Sequence, residues 1–221
     1  MVRIPCRGVL FDLDGVLADS MPAVNRVWTT WAVTHGFDPD EVVHKAQGRP
    51  SITTVREYLP EGDVEEENRE IERREIADVQ DVKPAPGAIE LVQSLPANRW
   101  AIVTSGTCAL ATARIRAAGL PLSKHLVTSS DITRGKPDPE PYLKGAASLG
   151  LAARDCVVIE DAGAGVRSGK AAGAHVIAVR TSHSDAELRV AGADWIADNC
   201  ASICFEGVTG LDPFFLLLKD I

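Results

Sequence analysis

The run Gly8-Val9-Leu10-Phe11-Asp12-Leu13-Asp14-Gly15-Val16 decides the fold. Four apolar residues come first, with no polar residue alternating between them. Two acids and a glycine then follow at once. An apolar run without alternation reads as a strand covered on both faces, which is the habit of parallel sheets. Working outward from Gly8–Phe11, similar runs recur at Trp100–Val103, 125–127, 156–159 and His175–Val179, with a weaker one at 195–196. Between them lie stretches of helical spacing at 89–95, 109–118, 141–149, 165–172 and 185–190. Gly119 and Gly150 stand just past two of these helices, where a left-handed cap is wanted. Strands alternating with helices predict an α/β core, doubly wound and Rossmann-like around a parallel sheet.

Residues 18–84 break that rhythm. They offer helical patterns at 21–34, Pro39–Ala46, 53–58 and 64–79, and no strand is expected among them. The cluster Pro84-Ala85-Pro86-Gly87 reads as a hinge back to the core. The expected organisation is a core domain of residues 1–17 and 85–221 with an all-helical cap inserted at 18–84. Ligands of open α/β sheets bind beyond the carboxyl ends of the strands, so an insert leaving the first strand overhangs that place. The Glu- and Arg-rich run 65–75 reads as a solvated helix face laced by i,i+4 pairs, with a binding surface as the alternative.

The chain has 221 residues and a net charge of −8. An acidic surface argues against nucleic acid and against a membrane as partner, since both repel it. The five cysteines are scattered, and Cys200 and Cys204 lack the second close pair of a structural zinc site. Unpaired thiols, an N-terminal apolar run too short for a signal peptide and no apolar stretch near ~20 residues lead us to expect a soluble cytoplasmic protein. The apolar run 212–219 is expected to pack on the core as a last strand or helix, or else to form a dimer contact; monomer and homodimer both stay open.

Chemistry gathers at the strand ends. Asp12 and Asp14 follow the first strand at i and i+2, and on extended backbone such side chains point the same way. Neighbouring carboxylates repel unless a cation or proton separates them, so the pair suggests a metal site or an acid/base couple. Glu160 and Asp161 form a second acidic pair after the strand at 156–159 and before a glycine-rich turn. Several carboxylate oxygens with backbone carbonyls and water suit Mg²⁺, with Asp161 the more direct ligand and its neighbour a possible cap of the next helix. Lys136 sits between Gly135 and Pro137 on a rigid turn. Beside such carboxylates it offers a fixed cation for a phosphoryl group. The Thr104 hydroxyl and the backbone N–H groups of Ser105 and Gly106 would bind the remaining oxygens.

Taken in order, Asp12-Leu13-Asp14-Gly15-Val16, Thr104, Lys136 and Glu160-Asp161 resemble the four motifs of the haloacid dehalogenase superfamily, and the insert resembles its small helical cap. The resemblance implies that Asp12 is the nucleophile and Asp14 the general acid/base. It implies that Mg²⁺ is held by Asp12, the Asp14 carbonyl, Asp161 and Glu160, and that Thr104 and Lys136 hold the phosphate. Members that dehalogenate lack a counterpart of Asp14, and those that cleave phosphonates carry a cap lysine that 18–26 lacks. Hexose-phosphate mutases carry a histidine where this chain has Val24 and a cap arginine where it has Ser51. The stretch Gln47-Gly48-Arg49-Pro50-Ser51-Ile52 instead is similar to the cap loop of sugar- and polyol-phosphate phosphatases. Arg49 would then reach the substrate's hydroxyl groups or leaving oxygen, with His44, Asn25 and Thr53 behind it. The expected partner is a small-molecule phosphate ester, cleaved through an aspartyl-phosphate. A phosphomutase and a non-catalytic binding module of the same fold are the alternatives.

Overall fold

A computed structural model describes residues 1–207 and 213–219. The strands, in chain order, are β1 (Val2–Cys6), β2 (Gly8–Phe11), β3 (Ala18–Asp19), β4 (Lys83–Pro84), β5 (Trp100–Val103), β6 (Leu126–Val127), β7 (Cys156–Glu160), β8 (His175–Val179), β9 (Trp195–Ala197), β10 (Ile203–Glu206) and β11 (Phe214–Leu218). The helices are α1 (Met21–His35), α2 (Pro39–Ala46), α3 (Ser51–Tyr58), α4 (Val64–Ala77), α5 (Ala88–Ser94), α6 (Cys108–Ala117), α7 (Glu140–Ser148), α8 (Gly163–Ala171) and α9 (Asp185–Ala191).

Six strands form one parallel sheet in the order β6-β5-β2-β7-β8-β9. Its strands are apolar along their length because both faces are covered. Val9, Phe11 and Ile159 point into one hydrophobic cluster, while Leu10, Val103 and Val158 point into the other. The chain winds outward from β2 through β5 and β6, then crosses back to β7 on the other side. That reversal opens a crevice beyond the ends of β2 and β7, where Phe11 pairs with Ile159.

Helices α1 to α4 pack around a separate cluster of Trp28, Trp31, Val42, Val55 and Ile71. Burying each such side chain contributes roughly 1.5–3 kcal/mol, enough for the helices to hold together as a unit. Asp38 and Asp63 accept the backbone N–H of Glu41 and Glu66 and so start α2 and α4. Two strands occur where none was expected. β3 and β4 pair as an antiparallel ribbon, Ala18 with Pro84 and Asp19 with Lys83, at the point where the helical insert leaves and rejoins the core. Two residues are too few to display any alternation, so pairing across the insert is what makes them strands.

β1 and β10 flank β11 in a small antiparallel sheet. Phe214, Leu216 and Leu218 face inward, and the Arg3 guanidinium lies 3.3 Å from the centre of the Phe215 ring. Residues 214–218 of the apolar tail are thus a strand packed on the core, while Asp212 lies outside the described residues. No described helix is long and apolar enough to cross a membrane.

Candidate active site

Asp12 is the first residue past β2, and its N–H still donates to the Ile159 carbonyl at 2.9 Å. The ladder therefore fixes the nucleophile candidate at the crevice. The chain then turns sharply, with the N–H groups of Leu17 and Ala18 both donating to the Leu13 carbonyl. Gly15 adopts φ +80°, and a β-carbon there would lie 2.0 Å from Asp161 Oδ2. Only glycine lets the carboxylate of Asp161 come so near the first motif.

Lys136 is fully buried and donates to Asp12 Oδ1 at 2.5 Å, Glu160 Oε1 at 2.7 Å and the Val103 carbonyl at 3.1 Å. Its three protons are used by three strand ends, so its position is fixed. Glu160 lies beneath the cleft. Its Oε1 also accepts from the Tyr142 hydroxyl at 2.9 Å, and its Oε2 accepts the N–H groups of Asp161 and Ala162. Asp161 accepts from the Ser182 hydroxyl.

The carboxylates of Asp12, Glu160 and Asp161 offer oxygens within 4.8 Å of one another, all buried. Against these three acids stands a single ammonium. Burial pushes the Asp12 carboxyl up to about 7, with Lys136 opposing and Glu160 and Asp14 adding to the rise. Burial likewise raises Asp161 well above the usual carboxylate range, and Glu160 and Asp12 add to it. Burial by itself would lower Lys136, but Asp12 and Glu160 win and raise it. A divalent cation would hold these acids ionised, and an all-oxygen donor set is the chemistry that Mg²⁺ takes. The site fits the ion.

Asp14 also borders the cleft. Its Oδ1 accepts from the Ser20 hydroxyl at 2.6 Å, and its Oδ2 meets Arg114 Nη1 at 2.8 Å. Arg114 reaches from α6, is buried, and binds Glu75 of α4 through Nη2 at 3.1 Å. Thr104 is buried at the end of β5, and its hydroxyl oxygen accepts the Gly106 N–H at 3.1 Å. Ser105 donates instead to the Gly48 carbonyl of the helical insert at 3.1 Å. Gly48 has φ +70°, and a β-carbon there would lie 2.4 Å from that of Ala162. A side chain at position 48 would hold the insert off the core.

Most of these groups line a cleft of about 110 Å³ between the sheet edge and the insert, and Lys136 and Glu160 lie beneath it. Asp12, Asp14, Thr104, Ser105, Gly106 and Asp161 all border it, as does Arg49, which pairs with Glu57 at 2.9 Å. His44, Asn25 and Thr53 do not line it. The His44 ring lies tilted against that of His183, 4.8 Å between centres, and meets Glu187 at 3.3 Å, while Asn25 and Thr53 face solvent. Arg114, Glu75, Glu72, Tyr142 and Ser182 are site residues that the sequence reading missed. The run 65–75 carries one pair at the expected i,i+4 spacing, Arg74 with Glu70, and two at i,i+3, Arg69 with Glu66 and Arg73 with Glu70. Its other face, however, is turned to the cleft through Asn68, Glu72 and Glu75.

A doubly wound sheet with buried acids and a lysine at its switch point defines a class of α/β hydrolase. A family model described as haloacid dehalogenase-like hydrolase matches residues 6–173. Hexitol phosphatase A of Escherichia coli is 48% identical over 181 residues, covering 79% of this chain and 83% of that protein. Glycerol-1-phosphate phosphohydrolase 2 of Saccharomyces cerevisiae is 34% identical over 215 residues, covering 91% and 86%. The crystal structure of a hydrolase from Pseudomonas syringae superposes with a TM-score of 0.80 at 25% identity, covering 88% of this chain and 94% of that one. The chain belongs to the haloacid dehalogenase-like hydrolase family. Within it the chain is a phosphoric monoester hydrolase.

Proposed function

We propose that the enzyme hydrolyses the phosphate monoester of a small sugar or polyol through an aspartyl-phosphate on Asp12. The observation that carries this reading is the placement of Asp12, held by the β2–β7 ladder and by Lys136, on a cleft that Asp14 also borders. The relatives' names supply the substrate class: a hexitol phosphatase and a glycerol-phosphate phosphohydrolase.

In the first step an Asp12 carboxylate oxygen bonds to phosphorus while the bond from phosphorus to the ester oxygen breaks. Asp14 gives its proton to the departing oxygen, so the alcohol leaves neutral. In the second step Asp14 takes a proton from water, whose oxygen bonds to phosphorus as the bond to Asp12 breaks. Phosphate leaves and both aspartates return to their starting state. Thr104 and the backbone of Ser105 and Gly106 would hold the phosphoryl oxygens, and Lys136 would join them by giving up one of its three present bonds. Asp12, the Asp14 carbonyl and Asp161 would hold Mg²⁺, with Glu160 lending charge and fixing Lys136. When bound, Mg²⁺ offsets phosphoryl charge as a Lewis acid. Arg49 contributes its remaining donors to the substrate's hydroxyl groups. Residues 18–84 act as a cap over the core of 1–17 and 85–221, and the β3–β4 ribbon is the hinge between them.

The test is release of inorganic phosphate from a panel of sugar, polyol and nucleotide phosphates with Mg²⁺ present. Release from polyol esters that falls by about 10³-fold or more in Asp12→Asn supports the reading. Turnover that survives in Asp12→Asn removes the covalent route. Isomerised hexose phosphate without free phosphate would make the protein a mutase.

A further inference from the structure

We propose that the cap side of the cleft selects esters whose leaving group is uncharged and rich in hydroxyls, with Glu72 as the residue that reads it, and rejects esters with a second anionic group. This rests on the phosphatase reading above and deepens it.

Asn68, Glu72 and Glu75 are spaced four and three residues apart on α4, so they share one helix face, and all three border the cleft. Glu72 accepts from the hydroxyl of Thr107, the N-cap of α6, and both residues border the cleft. A carboxylate has about four acceptor sites, so one bond leaves room for substrate hydroxyls. Asn68 uses its carbonyl oxygen to accept from Ser51 at 2.7 Å, and its amide N–H groups remain as donors. Hydroxyls both donate and accept, so this pair suits them. Val24, Trp28 and Leu110 supply apolar wall for the carbon chain.

Charge decides what is refused. Among the described residues, the cations lining the cleft are Arg49 and Arg114. Arg49 is already paired with Glu57, and Arg114 with both Asp14 and Glu75. Lys136, beneath the cleft, is held by Asp12 and Glu160. A carboxylate or second phosphate on the leaving group would have to displace a partner of Arg114 or Lys136, or share Arg49 with Glu57, while facing Glu72. Displacement from Arg114 or Lys136 leaves a buried acid without its cation, which costs more than the new pair returns, and at Arg49 the exposed Glu57 already offsets the charge. A neutral polyol breaks no ion pair.

Glucitol 6-phosphate and 6-phosphogluconate isolate the effect, because they differ only in a terminal alcohol against a terminal carboxylate. The measurement is the ratio of kcat/KM for the two esters, which does not depend on the fraction of correctly folded protein. The wild-type enzyme should favour the hexitol ester by about tenfold or more, a modest share of what close like charges exert in a half-buried site. Glu72→Gln should shrink that ratio, and Glu72→Lys should bring it to unity or invert it. Equal kcat/KM in the wild type, or a ratio that neither variant moves, overturns the assignment and leaves the phosphatase reading intact. Failure to release phosphate from either ester or from an aryl phosphate sinks that reading, and this one with it.

Discussion

Glu75 of α4 and Arg114 of α6 form a buried ion pair, 3.1 Å apart, across the seam between the helical insert and the sheet domain. The second Arg114 nitrogen holds Asp14, so one guanidinium ties the insert to the proposed acid/base. Burial pushes the Glu75 carboxyl up, whereas Asp14 and Glu75 overcome burial to hold Arg114 above its usual range. Arg114 is therefore charged, and its partners are what make its burial tolerable. Removing one partner of a buried pair costs about 3–5 kcal/mol, because the other charge is left behind. Asp14 remains to share the charge here, so Glu75→Ala should fall at the low end, about 3 kcal/mol. Urea denaturation of wild type and variant measures it. A loss below about 1 kcal/mol would mean that water already screens the pair.

The helical insert and the sheet core differ in how plainly they could be read. Strands β2, β5, β7 and β8 are uninterrupted apolar runs because both faces are covered, and that pattern needs no partner to be recognised. The acids at 12, 14, 160 and 161 could be named because they stand where those runs end, and Lys136 because it sits on a rigid turn between Gly135 and Pro137. Arg114 and Glu75 were hidden, although each left a signal. On α6 the buried residues are Leu110, Ala111, Arg114 and Ile115, so an arginine sits on the apolar stripe. On α4 the buried residues are Ile71 and Glu75, one turn apart. A charge on the buried stripe of each of two helices predicts that they meet. Ser182 and Tyr142 carried no such mark, since a hydroxyl gains its role only from the carboxylate that the fold brings to it.

Mg²⁺ should stabilise the folded chain as well as support turnover, since a ligand bound only by the native state raises the unfolding midpoint. Three acids and one lysine lie close together in this crevice, and Asp161 approaches Gly15 without room for a β-carbon. Chelation with EDTA should abolish phosphate release, and millimolar Mg²⁺ should restore it. In thermal melts Mg²⁺ should raise the midpoint of the wild type and leave Asp161→Asn and Gly15→Ala nearly unmoved. An equal rise in all three would place the ion elsewhere.

A pH dependence follows from the contact between His44 of α2 and His183 of the loop after β8. Their rings lie 4.8 Å apart. Burial lowers the His183 pKa, and His44 and Arg167 lower it further against the pull of Glu187 and Glu160. His44 itself meets Glu187 at 3.3 Å. The unfolded chain binds a proton at His183 near histidine's ordinary value, about 6.5, while the folded chain refuses it until the pH is lower. The unfolded state then binds more protons, so stability falls as pH drops below about 6.5 and the loss ends below the folded pKa. Above that window the contribution is fully present. Melts of the wild type from pH 7.5 to 5.5 should therefore show a drop in midpoint that His183→Gln reduces. Since the two rings join the insert to the core, low pH should also expose the cleft, read as faster proteolysis near 47–50 in the wild type than in the variant. Parallel melting curves for the two proteins would show that this histidine pair does not hold the insert in place.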